Sequence, residues 1–508
     1  SRPGTAGLRA RRHARAARMT AAAWLGLCAA LAVVGALALW LLLRTWARRS
    51  ASSSCLGRSL EGRGTVGFFH PYAHAGGGGE RVLWCAIHAV QQHHPGVHCV
   101  VYTGDKGVTP GELLSHAGAC FGVELDTGSV HFVFLQGRRW VDAGRWPRFT
   151  LLGQSFGSML LAWEALCCFR PDVLVDSMGY AFALPVFAFL GGCRVGCYVH
   201  YPTISTDMLA RVRARDVGIC NQATVARSRV LSAAKLLYYR AFAWLYSLAG
   251  RSAEVVLVNS SWTRGHIDAL WRAQGRTWTV FPPCDTAALA KLPLERSTPE
   301  AGGRLVLSLA QFRPEKDHPL QLRAFARFLA ASPQHRCGPG RVRLCLVGGC
   351  RDEGDRHRVE ALRGLCRELG LHEHVEGAHG DVCFRTNVPL AEVQALLGQA
   401  DVGLHTMREE HFGISVVEFM AAGAVPLAHR SGGPAGDIVT PLRGQQTGFL
   451  ATDEESYAAA LGEIFALAPD ERASVAQAAR EAVRSRFAQD AFEEAVASRL
   501  IAPLRAGC

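Results

Sequence analysis

The arrangement of apolar and polar positions divides the chain into an anchor followed by two halves with the same rhythm. Ala21 to Leu43 is a run of 23 residues without a charge. As a helix it is about 35 Å long, enough to cross a hydrocarbon core of about 30 Å. The apolar stretch of a cleaved leader is only about 7–15 residues, so the pattern predicts a transmembrane helix. Beyond it, Thr65–Phe69 reads as a buried strand, and Val82, Leu83, Ala86, Ile87 and Val90 then recur at helical spacing. Further strands are expected at Cys99–Tyr102, Val173–Val175, Val195–His200 and Val255–Asn259. The Pro-containing stretch Phe281–Gly303 reads as a linker, after which Leu305–Leu309, Val342–Val347, Val402–His405 and Val425–Ala428 are strands and Pro389–Gln399 and Gly413–Ala422 helices. Gly377–Cys383, between strand and helix, is expected to be a loop. Alternation of short apolar runs with helices implies parallel sheets covered by helices on both faces. The predicted organisation is a basic segment and anchor (1–63), an α/β Rossmann-like domain (64–290), a second one (300–480) and a C-terminal helix or tail (481–508), with a ligand cleft between the two domains.

Charge changes the picture once it is located. The net charge is +12, but residues 1–63 contain eleven arginines and one acid, leaving only +2 for everything after them. The excess is a collar around a hydrophobic span and not a nucleic-acid footprint. Six arginines precede the span and three follow it closely, which by charge alone places the N-terminus in the cytosol and the rest of the chain outside. The 17 cysteines include no CxxC pair, and an odd number cannot all pair. Most lie in apolar runs, where a thiol behaves as a small hydrophobe, so they predict reduced cysteines and no structural zinc. A second membrane contact is expected at Val230–Tyr246, an apolar helix bearing Lys235, Arg240 and several Tyr and Trp residues. The alternative for that stretch is a core helix.

Five motifs carry candidate chemistry. His70-Pro-Tyr-Ala-His-Ala-Gly-Gly-Gly-Gly-Glu80 joins a strand to a helix. Gly76, Gly77, Gly78 and Gly79 allow close backbone approach, and the helix start offers N–H groups to a phosphate or sugar, with Glu80 beside them. A tight turn is the plainer reading. Glu410-His-Phe-Gly-Ile-Ser-Val-Val-Glu418 sets two carboxylates seven residues apart around a helix N-terminus. This can place one on sugar hydroxyls and one on ribose hydroxyls, with a diphosphate between them at Phe412, Gly413 and Ile414. Two solvated acids are the alternative. Arg313 and Lys316, in Gln311-Phe-Arg-Pro-Glu-Lys316 after a strand, are cations placed to neutralise a leaving phosphate. Gly432 and Gly433 form a second loop of close approach, and His200 ends a strand in Tyr198-Val-His-Tyr-Pro202.

Together these motifs resemble the retaining glycosyltransferases of the GT-B fold, family four. The longer strings His70–Trp84, Leu152–Ser158, Asp176–Phe182, Tyr198–Met208, Val258–Thr263 and Gln311–His318 are similar to the mannosyltransferases that build dolichol-linked oligosaccharides for asparagine-linked glycosylation. The resemblance covers residues 64–500. It implies two Rossmann-like domains facing a cleft, GDP-mannose as donor, and a dolichyl-pyrophosphate-linked trimannosyl oligosaccharide as acceptor. It also implies two successive α-1,2 additions on the cytosolic face of the endoplasmic reticulum, against the arginine count, with membrane lipids and other early mannosyltransferases as partners. By motif, Glu410, Lys316 and His200 are catalytic, binding mannose, diphosphate and the reacting sugar. Glu418, Arg313, Phe412, Gly413, Ile414, Gly432 and Gly433 bind donor, and Gly76–Gly79 with Glu80 bind acceptor and phosphate. No metal and no cofactor is expected. Where the family carries an arginine this chain has Gln311, so Arg313 is the expected substitute. The competing readings are a transferase with another donor or acceptor, and a non-catalytic binder of lipid-linked sugars.

Overall fold

A computed structural model describes residues 5–216, 223–284, 286–294, 303–374 and 380–506, with side chains mainly from residue 30 onward. Helix α1 runs from Thr5 to Ser53 without a break. Its portion Ala30–Ser53 is long and apolar enough to cross a membrane and is almost wholly exposed. At its end the helix joins the first domain: Trp46 stacks on Trp163 at 5.3 Å, Ala47 is fully buried, and Arg48 donates to the Gly191 carbonyl. This candidate span is therefore packed onto the fold at its C-terminal end rather than attached by a free tether.

The first domain is a parallel sheet built from β1 (Thr65–Phe69), β2 (His98–Thr103), β3 (Val130–Phe134), β4 (Val173–Asp176), β5 (Arg194–Val199), β6 (Val255–Val258) and β7 (Thr277–Thr279), in the order β3-β2-β1-β4-β5-β6-β7. Its principal helices are α2 (Gly78–His93), α3 (Thr150–Cys168), α4 (Thr206–Ala214), α5 (Arg229–Gly250) and α6 (Ser261–Trp271). Side chains of each strand alternate between two cores: Val66 and Phe68 enter one and Phe69 the other, as do Val173 and Val175 against Leu174. Gly67 faces the second core because a Cβ there would lie 2.8 Å from Pro171 and 2.9 Å from Tyr102.

The second domain repeats the design with β8 (Arg304–Leu309), β9 (Val342–Gly348), β10 (Val382–Thr386), β11 (Val402–Leu404), β12 (Val425–His429) and β13 (Phe449–Ala451), in the order β10-β9-β8-β11-β12-β13. Helices α7 (His318–Ala331), α8 (Ile414–Ala422) and α9 (Pro469–Arg486) follow β8, β11 and the last strand region. Helix α10 (Gln489–Val496) then crosses back, and Phe492, Val496, Leu500, Ile501 and Leu504 join Val66, Phe68 and Tyr198 in the first domain's core. A Cβ on Gly196 would meet Leu500 at 2.6 Å, so the glycine in β5 is what lets this segment lie so close. The tail beyond residue 481 thus divides its allegiance, α9 serving the second domain and α10 the first.

Four strands escape the apolar pattern. β3 alternates His131 with aromatics at a sheet edge, β7 and β13 have three residues each, and β10 ends in Arg385 and Thr386. The loop expected at Gly377–Cys383 is corrected at its end, because Val382 and Cys383 pair with Leu344 and Cys345 of β9, while residues 375–379 lie outside the described residues. Of the expected linker, residue 285 and residues 295–302 also lie outside them.

Candidate active site

The carboxyl ends of the central strands in both sheets meet across one cleft, where helix N-termini and loops can reach a ligand without breaking the sheets. From the second domain, β8 leads to Lys316 and β11 to Glu410. Lys316 Nζ lies 2.5 Å from Glu410 Oε2, and His405 Nε2 donates to the same oxygen at 3.2 Å. The His411 amide donates to Oε1 at 3.2 Å. Burial by itself would raise the Glu410 pKa, but the His405 hydrogen bond and the Lys316 charge outweigh it and hold the carboxyl well below its usual range. It is ionised at neutral pH. The loop is braced from beneath: Gln321 donates to Thr406 Oγ1 at 2.8 Å, Thr406 donates to the Lys316 carbonyl, and Tyr457 donates to the His405 carbonyl.

Gly413, at φ 110°, turns this loop into α8, so the free N–H groups of the helix start open beside Glu410. Glu418 lies on the second turn of α8, half-buried. Facing it from the first domain is the glycine loop, in which Gly76 takes φ 75° and a Cβ on Gly78 would lie 2.8 Å from Ile414 Cδ1. The first motif therefore rests on the first residue of the second motif's helix. His200 closes the third side. Its Nε2 donates to the Ser177 carbonyl at 3.0 Å, which leaves Nδ1 as the acceptor of a neutral ring. Burial pushes its pKa down to about 4, against the opposing effect of the Ser177 carbonyl. A Cβ on Gly79 would lie 3.8 Å from the same ring.

Glu410, Lys316, His200, Ile414, Gly413 and Gly76–Gly79 are thus brought to one cleft, with Glu418 a turn further along α8. Other expected residues are used differently. Phe412 is 3% exposed and packs on Phe281 and Phe487, so only its backbone can meet a donor. Glu80 accepts from the Gly77 amide at 2.6 Å and lies 3.5 Å from His70, so it is the third helical residue of a capping box whose N-cap is Gly77. Gly432 and Gly433 face the loop itself: a Cβ on Gly432 would meet the Glu410 carbonyl at 2.2 Å, and Gly433 N donates to that carbonyl at 2.8 Å. Arg313 lies 3.7 Å from Glu315 at the loop's edge.

Sequence reasoning missed His405, whose one signal was its place at a strand end. It also missed the contacts that fix one domain against the other. Arg211 of α4 pairs with Glu409, Ser261 donates from both N and Oγ to Asp437 at 2.8 and 3.0 Å, and Tyr201 packs on His411 with ring centres 4.0 Å apart. The sequon at Asn259-Ser260-Ser261 is consumed internally, with Asn259 buried and donating to the His200 carbonyl. Among the described residues the cysteines are free thiols, and no group of three or more His, Cys, Asp or Glu is placed to hold a metal.

Residues 63–271 match the family described as ALG11 mannosyltransferase N-terminus, and residues 294–482 the family described as Glycosyl transferases group 1. A Mus musculus protein named GDP-Man:Man(3)GlcNAc(2)-PP-Dol alpha-1,2-mannosyltransferase is 48% identical, over 92% of this chain and 93% of its own length. Proteins of the same name are 49% identical in Homo sapiens, over 84% of this chain and 85% of that protein, and 46% identical in Dictyostelium discoideum, over 79% and 78%. Among solved structures, the OtsA apo structure superposes with a TM-score of 0.61 at 15% identity, over 87% of this chain and 99% of that one. A sucrose-phosphate synthase from Thermosynechococcus elongatus gives 0.58 at 18% identity, over 88% and 100%. These likenesses show the GT-B fold.

Proposed function

We propose, on the premise that this chain belongs to the family of GDP-Man:Man(3)GlcNAc(2)-PP-Dol alpha-1,2-mannosyltransferases, that it transfers mannose from GDP-mannose to a dolichyl-pyrophosphate-linked oligosaccharide that already carries three mannoses. The observation that carries the reading is the meeting of the glycine loop with the N-terminus of α8 over the Glu410–Lys316 pair. Glu418 receives the ribose hydroxyls and Glu410 those of the mannose. Lys316 and the α8 N–H groups hold the diphosphate, and His200 Nδ1 accepts from the transferred sugar. The bond from the anomeric carbon to the phosphate oxygen breaks as the bond to the acceptor hydroxyl forms on the same face. The leaving phosphate oxygen takes the hydroxyl's proton, so configuration is retained without a covalent enzyme intermediate. Catalysis then rests on positioning and on neutralising phosphate charge. Metal is not required in this scheme, and activity is expected to survive EDTA.

Two α-1,2 mannoses are added in succession, the fourth and fifth of the oligosaccharide. The enzyme is a single-pass protein of the endoplasmic reticulum membrane with both domains in the cytosol, where GDP-mannose is available. α5 lies in the interface: Tyr239, Phe242 and Tyr246 face the core, whereas Val230, Leu237 and Trp244 are 78%, 71% and 63% exposed. The test is incubation with GDP-mannose and a synthetic lipid-linked trimannosyl acceptor. Products heavier by two hexoses and trimmed by an α-1,2-mannosidase are expected. Transfer from another sugar nucleotide in preference, or none at all, overturns the reading.

A further inference from the structure

The first domain carries an apolar slot that the reaction does not use. Its walls are Phe149 and Leu151, at the start of α3, and Ala234, Tyr238 and Tyr239 of α5. Phe149 and Tyr238 meet edge to face at 5.4 Å. The slot has a volume of about 390 Å³, within the range of sites that hold small ligands, roughly 300–1,000 Å³. Phe149 is 67% exposed at its mouth.

What enters it follows from where it leads. Leu152, Phe156, Met159 and Leu160 are exposed on one face of α3, at the spacing of a helical stripe. The next residue of that stripe, Trp163, stacks on Trp46 of α1. A continuous apolar track therefore runs from the transmembrane helix to the slot. From the slot, two braces run to the cleft. Asp105 accepts from the His74 amide at 3.0 Å and from Arg138 at 2.7 Å, and Tyr72 donates to Asp142 at 2.5 Å, so the loop preceding Phe149 is tied to the glycine loop. On the other wall, Tyr246 of α5 accepts from the Thr203 amide, three residues beyond His200. One cation lines the slot: Lys235, whose Nζ lies 5.4 Å from the centre of the Tyr239 ring.

We propose that this slot seats the isoprene units of the acceptor nearest its pyrophosphate, while the rest of the polyisoprenoid remains in the bilayer. The inference rests on the lipid-linked acceptor proposed above and adds where its lipid goes. Such an acceptor must pass from membrane to cleft along the protein surface. The track, the slot and the braced loops provide an apolar path for the chain, with Lys235 beside it for a phosphate.

The experiment uses the full chain in nanodiscs and Ala234→Trp, a change at an exposed position that fills the slot. Two acceptors share one trimannosyl pyrophosphate head, one on a long polyprenyl chain and one on a short saturated chain. KM for the long-chain acceptor is expected to rise about tenfold, the effect of losing roughly two methylenes of burial. KM for GDP-mannose and for the short-chain acceptor is expected to stay unchanged. A polyprenyl pyrophosphate with a diazirine on an isoprene near the phosphate is expected to label peptides containing Phe149–Leu151 and Ala234–Tyr239, and less so in the variant. Equal KM changes for both acceptors, no change for either, or labelling confined to other surfaces overturns the proposal. Absence of transfer by the unaltered protein to either acceptor refutes the reaction instead, and the labelling, which needs no transfer, still decides the slot.

Discussion

Lys316 and Glu410 lie 2.5 Å apart, so the lysine charge, with the His405 hydrogen bond, holds Glu410 ionised before any donor arrives. Lys316→Ala is expected to lower kcat by about 10²–10³-fold, as for the loss of one transition-state donor, and Arg313→Ala by less. Single-turnover kinetics on both variants check this, and a larger loss at Arg313 shows that the cation has been assigned to the wrong residue. Glu418→Ala is expected to weaken GDP by roughly 1.5–3 kcal/mol, read by titration calorimetry. Two histidines give the fold an acid limit. Burial, aided for His318 by the Lys316 charge, lowers His200 and His318 to about 4. The unfolded chain takes up these protons near pH 6.5, before the fold does. Stability from this source is complete above about pH 6.5 and is lost as pH falls to about 4, by at most about 1.4 kcal/mol per unit for each ring. His318→Gln should flatten its share of that slope in denaturation midpoints measured across the window. The residue types of the site were legible in the motifs, but not their division of labour. Glu80 and Phe412 sit in the same strings as Gly78 and Ile414, and nothing in spacing distinguishes a side chain that caps or packs from one that lines the cleft.

At the scale of the elements, the two glycine loops differ in how they use their missing side chains. Gly78 faces the mobile tip of Ile414, so Gly78→Ala needs only a small shift of that methyl group. Gly432 has φ 62° and faces the backbone of Glu410 at 2.2 Å. Gly432→Ala is therefore expected to displace the Glu410 loop, costing about 1–3 kcal/mol in stability and most of the activity, whereas Gly78→Ala retains most of both. Thermal midpoints and initial rates measured side by side test the contrast. The central strands were readable because both faces are buried and their residues are continuously apolar, as in Val255–Val258. The edge strands were not, since one flank of β3 and β10 is open to water and tolerates His131, Arg385 and Thr386. Helix α8 was expected to start at Gly413 and starts at Ile414, because the glycine serves as its cap.

For the whole molecule, the pairing of two α/β domains followed from the rhythm of the chain, whereas the return of α10 did not. Its apolar residues look like those of any helix, and only the three-dimensional structure reveals which core they enter. Leu500 is 1% exposed there. Leu500→Ala is expected to cost about 2–5 kcal/mol. Hydrogen exchange should place the loss in β1, β4 and β5 and leave the sheet of the second domain protected. Equal loss in both sheets would mean that the domains unfold as one unit, which the contacts Ser261–Asp437 and Arg211–Glu409 alone do not require.

That returning helix also sets a timetable. Strand β7 ends at Thr279, yet Leu504, the last of the apolar residues contributed by the C-terminal segment, is made 225 residues later. At ~5–20 residues per second, the ribosome needs roughly 10–45 s to cover that distance. During this interval the first domain stands with one face of its sheet unfinished. The second domain, whose sheet and helices α7–α9 are contiguous in the chain, can close before the first is complete. The order in which the cores can close is therefore the reverse of the order in which the two domains are made.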